Sequence, residues 1–355
     1  MLSLQIVKQH FVVSALAIIL AYPMFSASAE SREPNLPKAI VEEQVSFSNV
    51  AAGLRLAGAV TRPRDGDTYS TILLVSGSGP QDRHGTVAGK KMFRTAARAF
   101  AESGFLVLGY DDRGVGRSEG DTYGTTVDAA SDAEAAVKYL KTRKDVRRDR
   151  IGIIGHSEGG LIGPILSIRR DDVAFLVLLA GPTLHGAKIL RDQIKAILVA
   201  AGGSMSEAAS NDARVARMIN AAKSDDNRQI ALVAEQLRTE LKETAAWSKA
   251  QIQFFSSRWT RFFLSYDPQP SLLALRTPVL ALYGEHDLQV SARTNAHGAE
   301  AALVSNSDAT VLVLKNHNHL FQVTDDGSPD LYRNLGQAPS DQVIDIIVRW
   351  LSERF

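Results

Sequence analysis

No cysteine occurs in these 355 residues. That excludes disulfide staples, a thiol nucleophile and thiolate metal centres. An excess of one charge sign is also missing, with 40 Lys and Arg against 39 Asp and Glu. Such a chain lacks the basic footprint of a nucleic-acid or anionic-membrane binder, so neither is expected as its main partner. Beyond residue 29 no apolar run is long enough to span a bilayer. Internal repeats and low-complexity tracts are absent too, which excludes a solenoid.

The first 29 residues read as a signal peptide. Lys8 supplies the positive start, residues 11–20 form an apolar run broken only by Ser14, and Ala27-Ser28-Ala29 is a small-residue cleavage site before Glu30. This predicts a periplasmic or secreted protein with no stable membrane insertion after cleavage. An uncleaved anchor is the alternative. Cleavage removes Lys8 and no acid, leaving 39 charges of each sign.

What is present is an alternation of strands and helices. Residues 45–50 and 54–60 read as two strands joined at Ala52-Gly53. Strand signals follow at 71–76, 105–110, 150–154, 173–180, 279–283 and 310–314. Helical stretches lie at 90–103, 127–143, 291–304 and 341–355. This order predicts an α/β fold with a mostly parallel sheet covered on both faces. The mixed-charge run 143–150 reads as a solvated helix end and loop.

The rhythm breaks at residues 185–265. Leu190, Ile194, Ile197 and Leu198 share one helical face, and residues 206–222 and 228–258 are helical in pattern. About eighty residues are too many for a loop, so a helical cap insertion is expected. The division is then a signal peptide over 1–29, a core over 30–184, the insertion over 185–265, and the rest of the core over 266–355.

The chemistry starts at Gly155-His156-Ser157-Glu158-Gly159, between the 150–154 strand and a helical stretch from Gly160. A serine on a tight strand-to-helix turn, with glycine two residues either side, is the nucleophile-elbow pattern. Helix N-terminal N–H groups lie beneath such a serine, where negative charge develops during acyl transfer.

A serine needs a base, and the base needs a carboxylate to fix its tautomer. In chain order the acid comes next. Asp287, in Gly284-Glu285-His286-Asp287 after a strand, is the candidate, ahead of Glu285 and Asp267. Its structural alternative is an Asx turn opening the next helix. The base follows in Lys315-Asn316-His317-Asn318-His319. Spacing does not separate the two histidines. The apolar pair Leu320-Phe321 beside His319 favours it, leaving His317 facing solvent. His156 is read as supporting the turn, His286 as lining the acid turn, and His84 as near the site. No histidine pair has a third ligand in evidence, so no metal and no cofactor is expected.

Two backbone N–H donors are also required for the oxyanion. Glu158 supplies one, and Ser78 in the Gly- and Pro-rich loop 76–83 the other. The turn Tyr110-Asp111-Asp112-Arg113-Gly114-Val115-Gly116 lacks the third glycine of a dinucleotide fingerprint. Asp112 and Arg113 read there as structural ion-pair formers.

The motifs together resemble the α/β-hydrolases, in the branch of bacterial esterases and serine aminopeptidase-like hydrolases. The matching pieces are Ser76-Gly77-Ser78-Gly79-Pro80, Tyr110-Asp111-Asp112-Arg113-Gly114, Gly155-His156-Ser157-Glu158-Gly159-Gly160, Tyr283-Gly284-Glu285-His286-Asp287 and Asn318-His319-Leu320-Phe321. The resemblance implies Ser157 as nucleophile, Asp287 as acid and His319 as base. Ser76 departs from it, since many relatives carry histidine there. The expected activity is hydrolysis of a small-molecule ester through an acyl-enzyme. Trp247, Phe254, Phe255, Trp259, Phe262 and Phe263 are offered as an acyl-pocket lining or as packing within the cap. Aminopeptidase or thioesterase action, a cofactor-free lyase or perhydrolase, and a non-catalytic binding protein stay open, as does the oligomeric state.

Overall fold

The computed structural model describes residues 37–122 and 124–355. The signal peptide expected over residues 1–29 lies outside the described residues.

Eight strands form one sheet: β1 (Ile40–Asn49), β2 (Leu54–Pro63), β3 (Tyr69–Val75), β4 (Leu106–Tyr110), β5 (Val146–His156), β6 (Leu176–Leu179), β7 (Val279–Gly284) and β8 (Ala309–Leu314). Their spatial order is β1-β2-β4-β3-β5-β6-β7-β8. β2 pairs antiparallel with β1 and β4. Every other pairing is parallel. β3, β4, β6 and β7 are buried throughout their length. Strands covered on both faces read as unbroken apolar runs, which is why the sequence announces them so clearly.

Helices α1 (Met92–Glu102), α2 (Thr126–Thr142) and α3 (Gly159–Ser167) belong to the crossovers between the early strands. The chain leaves β3 toward β4 on one side and later returns to β5 on the other. That reversal opens a crevice at the carboxyl ends of β3 and β5, where ligands gather in sheets of this kind.

After β6 the chain enters the helical insertion, with α4 (Gly186–Ala200), α5 (Met205–Lys223), α6 (Asn227–Leu241), α7 (Ala245–Ser256) and α8 (Arg258–Ser265). Ile194, Ile197, Met218, Ile230, Leu237 and Phe255 build an apolar cluster there, separate from the main core. The chain then passes through α9 (Gln269–Leu273) to β7, α10 (Ala292–Ala302), β8 and α11 (Asp341–Ser352). Among the described residues no helix is long and apolar enough to cross a membrane.

Two readings need correction. The helical stretch 228–258 is two helices, and a third begins at its last residue. Lys242 turns left-handed with φ of 56°, Thr244 caps α7, and Ser257 caps α8. Hydroxyl caps offer the backbone a local partner that ends one helix and starts the next. The run 143–150 is no loop beyond Asp145, because β5 begins at Val146. Its side chains Arg147, Arg148 and Asp149 are exposed, so the strand carries no apolar signal there.

Candidate active site

The elbow forms where β5 meets α3. Ser157 adopts φ of +54°, a conformation costly for a side-chain-bearing residue and held here by the surrounding packing. Its N–H donates to the Leu179 carbonyl at 2.8 Å, and its own carbonyl accepts from Gly160 N–H at 2.8 Å. A Cβ on Gly155 would lie 2.1 Å from the Gly159 carbonyl oxygen, so only glycine permits this close approach.

The loops after β7 and β8 are stitched together. His286 N–H donates to the His317 carbonyl at 2.9 Å. A Cβ on Gly284 would meet the carbonyl oxygens of His317 and Asn318 at 2.5 and 2.6 Å. The buried Asn318 Oδ1 accepts from the N–H groups of Leu320 and Gln322, both at 3.0 Å. These contacts bring His319 Nδ1 to 2.8 Å from Asp287 Oδ2, with both side chains buried.

Asp287 also closes an Asx turn. Its Oδ1 accepts from Gln289 N–H at 2.7 Å and Val290 N–H at 2.8 Å. The two readings of this residue are thus compatible, one per oxygen. A carboxylate only accepts, so His319 Nδ1 is the donor in this contact, and Nε2 is the acceptor nitrogen of the neutral ring. Ser157 and His319 line one chamber of about 100 Å³, together with Gly77, Gln193, Phe254 and Phe263.

The loop after β3 is fixed from β4. Ser76 Oγ donates to Asp112 Oδ1 at 2.7 Å, and Gln81 N–H donates to Oδ2 at 2.9 Å. Burial pushes the Asp112 carboxyl up to about 7, against those two hydrogen bonds. Arg113 forms an ion pair as expected, with Asp132 at 2.7 Å, and Arg83 pairs with Asp111, whereas Asp112 holds the 76–81 loop instead of a cation.

Glu158 is buried at the start of α3. Both its oxygens accept from the Trp259 indole N–H at 2.9 Å, and Oε1 also accepts from the Thr126 hydroxyl at 2.5 Å. Burial raises its pKa, opposed by Thr126, Trp259 and the Ser78 side chain. The backbone N–H groups of Ser78 and Glu158 have no protein acceptor among the described residues.

The other candidates lie elsewhere. Glu285 Oε2 accepts from Asn316 N–H, and Asp267 faces His185. His317 is not solvent-facing but 1% exposed. Its ring nitrogens lie 2.7 Å from the Lys315 carbonyl and 2.8 Å from Ser340 Oγ. His156 braces the base loop, with Nε2 at 2.9 Å from the His319 carbonyl. His84 sits in the loop that leads to α1, where burial lowers its pKa. Of the aromatics, Phe254, Trp259 and Phe263 line the chamber. Trp247 and Phe255 pack in the insertion's own cluster, and Phe262 stacks on Tyr266. The roles of Asp112 and Trp259 in holding loop and elbow have no signal in local spacing. Among the described residues no three His, Cys, Asp or Glu side chains group as a metal requires.

Sheet order, elbow and the two stitched loops define an α/β-hydrolase. The family model for serine aminopeptidases, S33, matches residues 83–323, and the chain belongs to that family of hydrolases. It is 27% identical over 331 residues to Esterase EstD of Thermotoga maritima, covering 92% of this chain and 73% of that protein. The Pyrococcus furiosus esterase Pf2001 superposes with a TM-score of 0.56 at 14% identity, over 89% of this chain and 91% of its own. A hypothetical protein, PA2218 of Pseudomonas aeruginosa, gives 0.53 at 16% identity, over 93% and 98%. Likeness at that identity speaks to fold. The chain is an esterase-like α/β-hydrolase.

Proposed function

We propose that this protein is an exported serine hydrolase that cleaves carboxylic esters through an acyl-enzyme. His319 takes the Ser157 proton at Nε2 while Asp287 holds Nδ1–H. Ser157 Oγ attacks the carbonyl carbon, and the oxyanion accepts from the N–H groups of Ser78 and Glu158. His319 then protonates the leaving alcohol. A water deprotonated by the same ring attacks the acyl-enzyme, and the carboxylic acid departs as Ser157 regains its proton.

The observation that carries this reading is the buried 2.8 Å contact of Asp287 with His319, beside a chamber that Ser157 also lines. The preference for esters draws on the relative named an esterase. Export rests on residues 1–29 of the sequence alone.

Aminopeptidase action is the second reading. Asp112, Asp132 and Glu158 face one cavity that holds a single guanidinium, Arg113, and a substrate ammonium suits such a place. Each carboxyl is already engaged by protein donors, which weighs against it.

A fluorophosphonate probe should label the mature protein at Ser157 and leave Ser157→Ala unlabelled. Short p-nitrophenyl esters should be turned over faster than aminoacyl anilides, and Ser157→Ala should lose about 10⁴-fold or more in kcat. Equal turnover by the two proteins would overturn the mechanism.

A further inference from the structure

We infer that a second, larger cavity is the acyl chamber of this enzyme, entered from Ser157 past Trp259, and that it selects esters of bulky uncharged acyl groups. The inference rests on the ester reading above. The cavity measures about 550 Å³ and is bordered by neither Ser157 nor His319. It shares a wall with the small chamber, made of Gly77, Glu158, Phe254 and Trp259.

Which side of an ester belongs where follows from proton transfer. The leaving oxygen must come within hydrogen-bond reach of the base. His319 borders only the small chamber, so the alcohol lies there. The carbonyl carbon sits between Ser157 and the N–H donors of Ser78 and Glu158. Its acyl substituent points away from His319, toward Gly77 and Glu158, which border both spaces.

Beyond that wall, Tyr110, Ala129 and Ile162 offer surface for an alkyl or aryl group.

Trp259 is the door in this wall. Its indole is held by the hydrogen bonds to Glu158 and by stacking on Phe263, with centroids 5.0 Å apart. It stands on α8, in the helical insertion, while Glu158 belongs to the elbow. An acyl chain reaches the large cavity when the indole swings from the carboxylate.

The test uses the full mature chain with p-nitrophenyl acetate and p-nitrophenyl octanoate, so that the leaving group is constant. The readout is the ratio of kcat/KM for octanoate over acetate. Trp259→Ala, which removes the door, should raise this ratio about tenfold. Ala129→Phe, which fills the cavity from α2, should lower it about tenfold or more. If Ala129→Phe fails to fold, Thr122→Phe narrows the same cavity from an exposed loop and is read in its place. A ratio unmoved in either direction overturns the acyl chamber. Fluorophosphonate labelling of each variant keeps the two proposals apart: an unlabelled wild type sinks the serine mechanism, whereas labelled variants with unmoved ratios sink the chamber alone.

Discussion

The ring nitrogen Nε2 of His156 lies 2.9 Å from the main-chain carbonyl oxygen of His319, and the two rings are 4.7 Å apart. A carbonyl only accepts, so His156 is the donor and holds its proton on Nε2. The residue before the elbow serine thereby braces the loop that carries the imidazole.

Losing that brace should disturb the position of His319 more than substrate binding. His156→Phe keeps a ring of similar bulk but has no donor. Its kcat should fall about tenfold with KM nearly constant, since small misplacements of a catalytic group act on the chemical step. His156→Gln can still donate from its side-chain amide and should recover most of the loss. Steady-state kinetics of the pair decide the matter. Equal loss in both variants would mean that the hydrogen bond is not what positions His319.

How much of this is legible in the sequence depends on where each partner comes from. The central strands are readable because burial on both faces leaves only apolar residues. Ser157 is readable because the elbow needs glycines two residues either side, a purely local demand. His317 escapes a local reading because its partner, Ser340, arrives from the N-terminus of α11. Asp112 escapes it for the same reason, as its proton-donating partners sit on the loop after β3. The bond between Trp259 and Glu158 joins residues 101 positions apart, and no periodicity encodes it.

Two buried groups give opposite pH dependence. Burial, and then the charge of His319, push the His156 pKa from 6.5 down to about 3. Between those values the unfolded chain binds a proton that the native one refuses. Stability from this group is therefore full above about 6.5 and is lost as pH falls. Asp112 runs the other way, raised from 3.8 to about 7. The native state keeps a proton that the unfolded chain releases, so its contribution is full below about 3.8 and is lost as pH rises toward 7. The wild-type profile should thus be flatter than either group alone dictates. Relative to wild type, Asp112→Asn should gain stability as pH is raised from 4 to 7. His156→Gln should gain as pH is lowered from 6.5 toward 3. Urea midpoints measured across pH check both signs. Parallel profiles for all three proteins would refute the assignment.

The placement of Ser157 depends on the elbow backbone. A methyl on Gly155 would stand 2.1 Å from the Gly159 carbonyl oxygen, a main-chain atom that cannot rotate aside. Relief would require moving β5 away from α3, in a region where Ile154, Leu161 and Ile162 are packed with almost no exposure. Interiors at this density do not yield cheaply. Gly155→Ala should therefore cost about 3 kcal/mol or more, or fail to yield soluble protein. Gly89 provides the comparison. It has φ of +78°, and a methyl added there would find nothing within 4 Å. Gly89→Ala should therefore lose only the left-handed backbone preference, about 1 kcal/mol. Denaturation midpoints of the two variants separate steric closure from backbone preference. A Gly155→Ala protein as stable as Gly89→Ala would mean that β5 and α3 part easily, and that Ser157 is not held by its neighbours.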